Sequence, residues 1–206
     1  AVRNLLKDSV EYAEQPEQLG TGHAVMQAAP LLADEEGATI VLYGDTPCLR
    51  EESLRKLLAL HRDLDAGCTM LSAIFDNPRG YGRIVRGTDG MVERIVEQKD
   101  CTAEEDAIRE INTGMYVFDN RALFEALKHI TNNNAQGEYY LTDVIGVLHA
   151  QGRKIAALPL DDIDEAIGVN DRAALAEAER IMRRRINRAH MLNGVTLVDP
   201  EHTYND

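Results

Sequence analysis

A chain of 206 residues with 44% hydrophobic and 28% charged side chains can bury a core of its own and has the composition of an ordinary globular domain. Its formal net charge of −13 leaves no basic stripe to follow a nucleic-acid backbone, and no apolar run reaches membrane-spanning length. Cys48, Cys68 and Cys101 are widely spaced, odd in number and in no metal-ligand pattern, which reads as reduced thiols in a cytoplasmic protein. The first residue is Ala rather than Met, as in a sequence that starts inside a longer protein.

Residues 1–13 carry little pattern beyond a short strand expected at 9–12. Next, Gln15-Pro16-Glu17-Gln18-Leu19-Gly20-Thr21-Gly22-His23-Ala24 leads into a helical pattern with apolar Ala24, Met26, Ala28, Ala29 and Leu32. It reads as a flexible loop feeding a helix N-terminus, whose free N–H groups attract anions or carbonyl oxygens. The primary amides of Gln15 and Gln18 set a donor beside an acceptor, which suits a uracil edge and equally an ordinary solvated turn.

The run Ala38-Thr39-Ile40-Val41-Leu42-Tyr43, stopped by Gly44 and Pro47, reads as a strand buried on both faces of a parallel sheet. Asp45 then lies at its carboxyl edge, where open α/β sheets bind ligands. Two readings fit this carboxylate: a ligand for a hard cation such as Mg²⁺, or a cap for the helix beginning near Glu51. An amphipathic helix is expected over 51–64 and a mostly apolar strand over 68–75. The alternation of strand and helix favours parallel strands joined by right-handed crossovers.

That alternation breaks at 76–97, where two strands joined by a turn form an expected β-hairpin arm. Gly82 would let a ligand approach the backbone, and Glu97, at the end of the second strand, faces the same region or is a solvated acid beside Lys99. A strand over 108–118 places Asn112 to bond a sugar hydroxyl or acetamido group, or a neighbouring loop. A helix at 120–130, a polar loop at 131–138, a helix after Tyr139-Tyr140-Leu141-Thr142-Asp143 to about 151, and a strand at 154–160 follow. Ile167-Gly168-Val169-Asn170-Asp171 introduces a long helix, 172–192. Its Arg183-Arg184-Arg185 suits the negative end of the helix dipole, and Gly194 suits its C-cap. Residues 195–206 begin a new element.

Seven motifs in this order carry a resemblance. They are Gln-x-x-Gln-Leu-Gly-Thr-Gly-His-Ala, Tyr-Gly-Asp-Thr-Pro, Gly-Tyr-Gly-Arg-Ile, Ile-Val-Glu-x-Lys-Asp, Glu-Ile-Asn-Thr-Gly, Asn-Asn-Asn-Ala-Gln-Gly-Glu-Tyr-Tyr-Leu-Thr-Asp and Gly-Val-Asn-Asp. Together they resemble the uridylyltransferase domain of the bacterial bifunctional N-acetylglucosamine-1-phosphate uridyltransferase/glucosamine-1-phosphate acetyltransferases. The resemblance implies an α/β, Rossmann-like nucleotide-diphospho-sugar transferase fold: a mixed, mostly parallel sheet flanked by helices, with a β-hairpin arm. It divides the chain into a nucleotidyltransferase domain at 1–170, a linker helix at 171–193 and the start of a left-handed β-helix at 194–206.

It further implies uridylyl transfer from UTP to N-acetylglucosamine 1-phosphate. The products are UDP-N-acetylglucosamine, a precursor of peptidoglycan and lipopolysaccharide, and pyrophosphate. Gln15, Gly20 and Thr21 would hold uracil and ribose. Tyr43, Gly44 and Asp45 would line the phosphate and sugar region, and Gly82, Glu97 and Asn112 would contact N-acetylglucosamine, with Tyr140 near that pocket. Asp45 and Asn170 would be the Mg²⁺ ligands, Asn170 also touching the sugar nucleotide. The full-length family is homotrimeric through its β-helix.

Such chemistry needs no side-chain base, because the attacking phosphate oxygen is already ionised; it needs in-line positioning and cancellation of negative charge. Members of this family open with Leu-Ala-Ala-Gly-x-Gly-Thr-Arg-Met and a following Pro-Lys, which this sequence lacks. Those residues bring N–H groups, an Arg and a Lys to the triphosphate. Charge-assisted contacts of this kind contribute about 1.5–3 kcal/mol each. The expectation is therefore little or no turnover by this polypeptide alone, and an unpaired sheet edge. No hexapeptide repeats follow residue 200, so acetyltransferase residues have no counterpart here. Two alternatives stand beside this reading. One is a related sugar-1-phosphate nucleotidyltransferase, against which Glu97, Asn112 and the Gln15 loop argue; the other is a module that binds UDP-sugar without chemistry.

Overall fold

The computed structural model describes residues 2–204. In chain order it contains the short helices α1 (Val2–Leu6), α2 (Thr21–Met26) and α3 (Ala29–Leu32), strand β1 (Ala38–Val41), helix α4 (Glu51–Leu64) and strand β2 (Cys68–Ile74). The hairpin strands β3 (Arg83–Arg86) and β4 (Val92–Val96), helix α5 (Ala103–Asp106) and strand β5 (Glu110–Asp119) follow. Helices α6 (Asn120–Leu127) and α7 (Asp143–Ala150), strand β6 (Ile155–Pro159) and helix α8 (Arg172–Leu192) complete the chain.

One ten-residue strand, β5, organises the six-stranded sheet. Along one edge it pairs with β2, from Cys68↔Phe118 to Ile74↔Glu110. Its other edge is shared: Ile111 pairs with Arg83 of β3, and residues 116–119 pair with β1. Both sets of pairs are antiparallel, β3 and β4 are antiparallel, and only β2 and β6 pair in parallel. The sheet is thus mixed, as expected. Strands β1, β2, β3 and β6 share one direction, which is what the strand–helix alternation records. Apart from β2 and β6 the neighbours are antiparallel rather than mostly parallel: β5 is inserted in reverse between β1 and β2, which the alternation alone would have set side by side. A strand buried on both faces reads the same in either direction.

Successive residues of β5 serve opposite layers, following the two-residue period of a strand. Tyr116 and Phe118 join Cys68 and Met70 under α6 and α7, where Leu123, Leu127, Val144, Ile145 and Leu148 complete the larger core. Met115 and Val117 face Leu71 and Leu57 of α4. Each fully buried aliphatic or aromatic side chain contributes about 1.5–3 kcal/mol.

Three expectations are corrected. Residues 9–12 form no strand; a 3₁₀ turn covers Lys7–Ser9, and the Tyr12 hydroxyl bonds back to the Lys7 carbonyl at 2.6 Å. The helix expected from Ala24 to Leu32 is two helices, α2 and α3, with Pro30 in the first turn of the second. A proline inside a continuous helix would lose the bond to the Met26 carbonyl and clash with it, so the chain restarts instead. Strand β1 is not buried on both faces: it alternates between exposed and half-buried, Ile40 is 41% exposed, and its outer edge has no strand partner among the described residues.

Helix α8 starts at Asp171, whose carboxylate accepts the Ala174 N–H at 2.8 Å. Beyond it, residues 195–204 hold no strand and turn back on the helix, with the Asn187 amide donating to the Thr203 carbonyl at 2.8 Å. Ala1, Asn205 and Asp206, at the outer ends of the expected units 1–170 and 194–206, lie outside the described residues.

Candidate functional site

A cavity of about 460 Å³ opens where the loop after β1, the end of β4, the middle of β5 and the loop before α8 converge. Thr21, Tyr43, Asp45, Gly82, Glu97, Asn112, Tyr140 and Asn170 all line it. Two further hollows adjoin it through Thr21. One, of about 630 Å³, is lined by Tyr43, Gly44 and Asp45; the other, of about 330 Å³, by Gln15, Gly20 and Glu138. Each residue expected to bind substrate or metal thus lines one of these three neighbouring spaces.

On one wall, Asp45 and Asn170 are exposed, and neither side chain makes a hydrogen bond or ion pair with another described residue. Their loops are joined directly, the Val169 N–H donating to the Asp45 carbonyl at 2.7 Å. One carboxylate and one amide oxygen, both without protein partners, are donors suited to a hard cation that completes its shell with water and phosphate oxygens. No group of three or more His, Cys, Asp or Glu side chains gathers at a metal-sized site among the described residues.

Other side chains of the lining are more constrained. Glu97 is half-buried and accepts the Thr142 hydroxyl at 3.2 Å. Burial pushes its carboxyl above the usual range, the charges of Asp100 and Asp143 add to this, and the Thr142 bond opposes it. A Cβ at Gly82 would stand 3.0 Å from Ile95 Cγ2 and 3.4 Å from Glu97 Oε1, so the missing side chain leaves Glu97 its place. Asn112 donates to the Tyr116 hydroxyl at 2.6 Å and accepts the Gly114 N–H at 3.1 Å. Its amide is thereby fixed in orientation, with one N–H and one lone pair left for the cavity. The Tyr140 hydroxyl accepts from Gln136 Nε2 at 2.7 Å.

The Tyr43 ring lies against Gly114, which adopts φ +80°. Its phenol is pushed up mainly by burial and then by the nearby Glu97 and Asp45 carboxylates. On the third side, Gln15 Nε2 donates to the Gly20 carbonyl at 3.1 Å and sits 3.1 Å from His23 Nδ1. The glycine loop is pinned rather than flexible, because the Gly22 N–H donates to the Tyr139 carbonyl at 2.8 Å and the Thr21 hydroxyl accepts the Leu141 N–H at 3.0 Å. The Gly22 amide at the start of α2 is thus already engaged.

Gly80, Tyr81, Thr113, Gly114, Gln136 and Glu138 also line the cavity and were not singled out in the sequence. All six stand inside the quoted motifs, yet by residue type alone Gln136 and Glu138 look like any polar loop. Three carboxylates, Asp45, Glu97 and Glu138, line the cavity, and no Lys or Arg does.

Comparison with known proteins places this arrangement. A family model described as nucleotidyl transferase matches residues 3–168. The chain belongs to the nucleotidyl transferase family. This nucleotidyl transferase is 59% identical over 203 residues to the "Bifunctional protein GlmU" of Geobacillus sp. (strain WCH70), covering 98% of the chain and 44% of that relative. It is 57% identical over 205 residues to the protein of the same name from Streptococcus mutans, covering 100% of the chain and 45% of the relative. The chain thus spans less than half the length of these curated relatives. Among solved structures, a UDP-glucose pyrophosphorylase complexed with UDP-glucose shares the nucleotidyl transferase fold. Its TM-score is 0.60 at 18% identity, over 86% of this chain and 72% of that one. No helix among the described residues is long and apolar enough to cross a membrane.

Proposed function

We propose that this chain is the uridylyl-transfer part of a larger enzyme, joining UTP and N-acetylglucosamine 1-phosphate into UDP-N-acetylglucosamine with release of pyrophosphate. The observation that carries the reading is the gathering in one cavity of about 460 Å³ of Asp45 and Asn170, whose side chains have no hydrogen-bond or ion-pair partner among the described residues, with the hydrogen-bonded Glu97 and Asn112. The high identity to the two GlmU proteins supports it.

In this reading Gln15, Gly20 and Thr21 receive uracil and ribose. Glu97, Asn112 and the open backbone at Gly82 receive the hydroxyl and acetamido groups of the sugar, beside Tyr140. Tyr43 and Gly44 line the path of the phosphates. Asp45 and Asn170 hold Mg²⁺, which when bound supplies positive charge to the α-phosphate and the leaving pyrophosphate. Because one ligand is neutral, the pair cancels only one of the two positive charges and leaves a net positive charge for the phosphates. Fixed side chains on the sugar wall orient the attacking phosphate, and no group in the cavity is asked to remove a proton.

By the same reading residues 1–170 form the transferase unit, 171–193 the linker helix, and 194–206 the entry to a β-helix. The whole protein is a bifunctional, homotrimeric cytoplasmic enzyme whose second activity is glucosamine-1-phosphate acetylation. A second reading, binding of UDP-sugar without turnover, is favoured for the chain alone by a cavity lined by three carboxylates and no cation.

Calorimetric titration of UDP-N-acetylglucosamine with and without Mg²⁺, paired with a pyrophosphorolysis assay, tests the proposal. Saturable, Mg²⁺-strengthened binding that is lost in Asp45→Ala supports it, and turnover separates the two readings. Absence of binding by folded protein refutes both.

A further inference from the structure

Helix α8 gives no residue to the cavity lining, yet it holds the two loops that carry Asp45 and Asn170. Arg185, in the third turn from its end, donates one guanidinium nitrogen to the Cys48 carbonyl and the other to Asp162 Oδ2 at 3.3 Å. Cys48 is fully buried against Ala178 and Ile181 of the helix, and Ile167 and Val169 pack on the same cluster. Across this junction Glu165, 2% exposed, accepts the Arg50 backbone N–H at 2.9 Å, while the Arg50 guanidinium pairs with Asp162. The Val169 N–H bond to the Asp45 carbonyl then closes the unit.

We propose that Arg185 is a positioning residue for the Asp45–Asn170 pair: bridging Cys48 and Asp162, it lets the long helix set the separation of the two cation ligands. The inference rests on the reading of those two residues as ligands. Among the described residues their side chains have no hydrogen-bond or ion-pair partner to fix them, so their spacing is inherited from their backbones. Those backbones are fastened to each other only a few residues from the Arg185 bridge. A planar guanidinium spans a carbonyl and a carboxylate at once, which an ammonium group does not do with the same geometry. A helix that changes its tilt would move the Cys48 and Asp162 loops together or apart. The cation site would thereby respond to whatever the distal end of α8 is attached to.

The test compares Arg185→Met with Arg188→Met, which removes the same charge from an exposed position of the same helix. Mn²⁺ affinity is measured by electron paramagnetic resonance with saturating UDP-N-acetylglucosamine, and exchange of the Val169 amide by hydrogen exchange. Arg185→Met is expected to weaken Mn²⁺ binding by about three- to thirtyfold, the range typical of coupled positions, and to speed Val169 exchange; Arg188→Met changes neither. Mn²⁺ affinity within about twofold of wild type in folded Arg185→Met, or unaltered Val169 exchange, overturns the proposal. Should wild type bind no Mn²⁺, the assignment of the ligands fails. Val169 exchange still decides whether Arg185 fastens the loops. If Arg185→Met does not fold, Arg185→Lys keeps the charge but removes the planar fork that spans the Cys48 carbonyl and Asp162, and carries the same expected and refuting results.

Discussion

Replacing Gly114 by alanine should damage the site through Tyr43. A Cβ there would lie 2.3 Å from Tyr43 Cε2, 2.5 Å from Cδ2 and 2.9 Å from Cζ. Carbon atoms rest at about 3.5–4.0 Å, so the ring must retreat by more than about 1 Å. The backbone adds its own cost, because φ at Gly114 is +80° and an L-residue in that region loses about 1–2 kcal/mol. Overpacking of this kind costs about 1–3 kcal/mol more. The sum, roughly 2–5 kcal/mol, is a large share of the ~5–15 kcal/mol of a typical domain. Gly90 provides the control, with φ +81° and nothing within 4 Å of its Cβ position, so Gly90→Ala isolates the backbone cost. Urea denaturation of both variants should give a difference of about 1–3 kcal/mol, with UDP-N-acetylglucosamine affinity reduced only in Gly114→Ala. Adding Tyr43→Ala removes the clash, so the double variant should lose less than the sum of the singles. If Gly114→Ala matches Gly90→Ala in stability and binds normally, the ring is not held where the geometry places it.

Other perturbations separate stability from binding. Burial raises the Glu97 carboxyl pKa, so the folded state favours its protonated form, and that stabilisation is lost as pH rises from the ordinary carboxylate range through the raised value. Glu97→Gln should flatten this loss in a pH series of denaturation midpoints, and stabilise at neutral pH, while weakening UDP-N-acetylglucosamine. The reverse sign applies to His61, 6% exposed with Nδ1 3.1 Å from the Thr69 hydroxyl, whose pKa burial lowers from 6.5. Its contribution is complete above pH 6.5 and declines below it, and His61→Gln should remove that part of the acid-side slope. On the free edge of β1, Ile40→Lys places a charge where Ile40 is 41% exposed, and light scattering of concentrated samples should fall with ligand binding unchanged.

Most of the motifs end a strand, as at Asp45 and Glu97, or lead into a helix, as at Thr21, Thr142 and Asn170, and ligand sites gather at such junctions. Pairing was harder to read. Residues 38–43 and 68–74 are apolar runs separated by a helix, and nothing in either run reveals that β5 lies between them in reverse. Glu110 and Arg86 illustrate another blind spot: 24 residues apart, they form a paired hydrogen bond at 2.8 and 2.6 Å across the sheet, yet look like two surface charges. The small helix α5 was legible and overlooked, since Thr102 and Glu105 form a capping box at the customary spacing. Gly114 could not have been found from composition, because its importance is the ring that lies on it.

The charges on the cavity wall decide which ligand this chain should prefer. Asp45, Glu97 and Glu138 all face the space, within a molecule of net charge −13. A phosphate charge about 6 Å from one of these carboxylates meets roughly 3 kcal/mol of repulsion at an effective dielectric constant near 20. UTP brings more such charge than UDP-N-acetylglucosamine and lacks the sugar that the proposed function assigns to Glu97 and Asn112. On the proposed reading the chain should therefore bind the sugar nucleotide more tightly than UTP, with Mg²⁺ narrowing the gap by neutralising phosphate near Asp45. Competition calorimetry with the two nucleotides reads the order directly. Tighter binding of UTP in the absence of divalent ions would mean that cations outside the lining reach the phosphates, and would remove the electrostatic ground for treating this chain as the sugar-recognising part of the site.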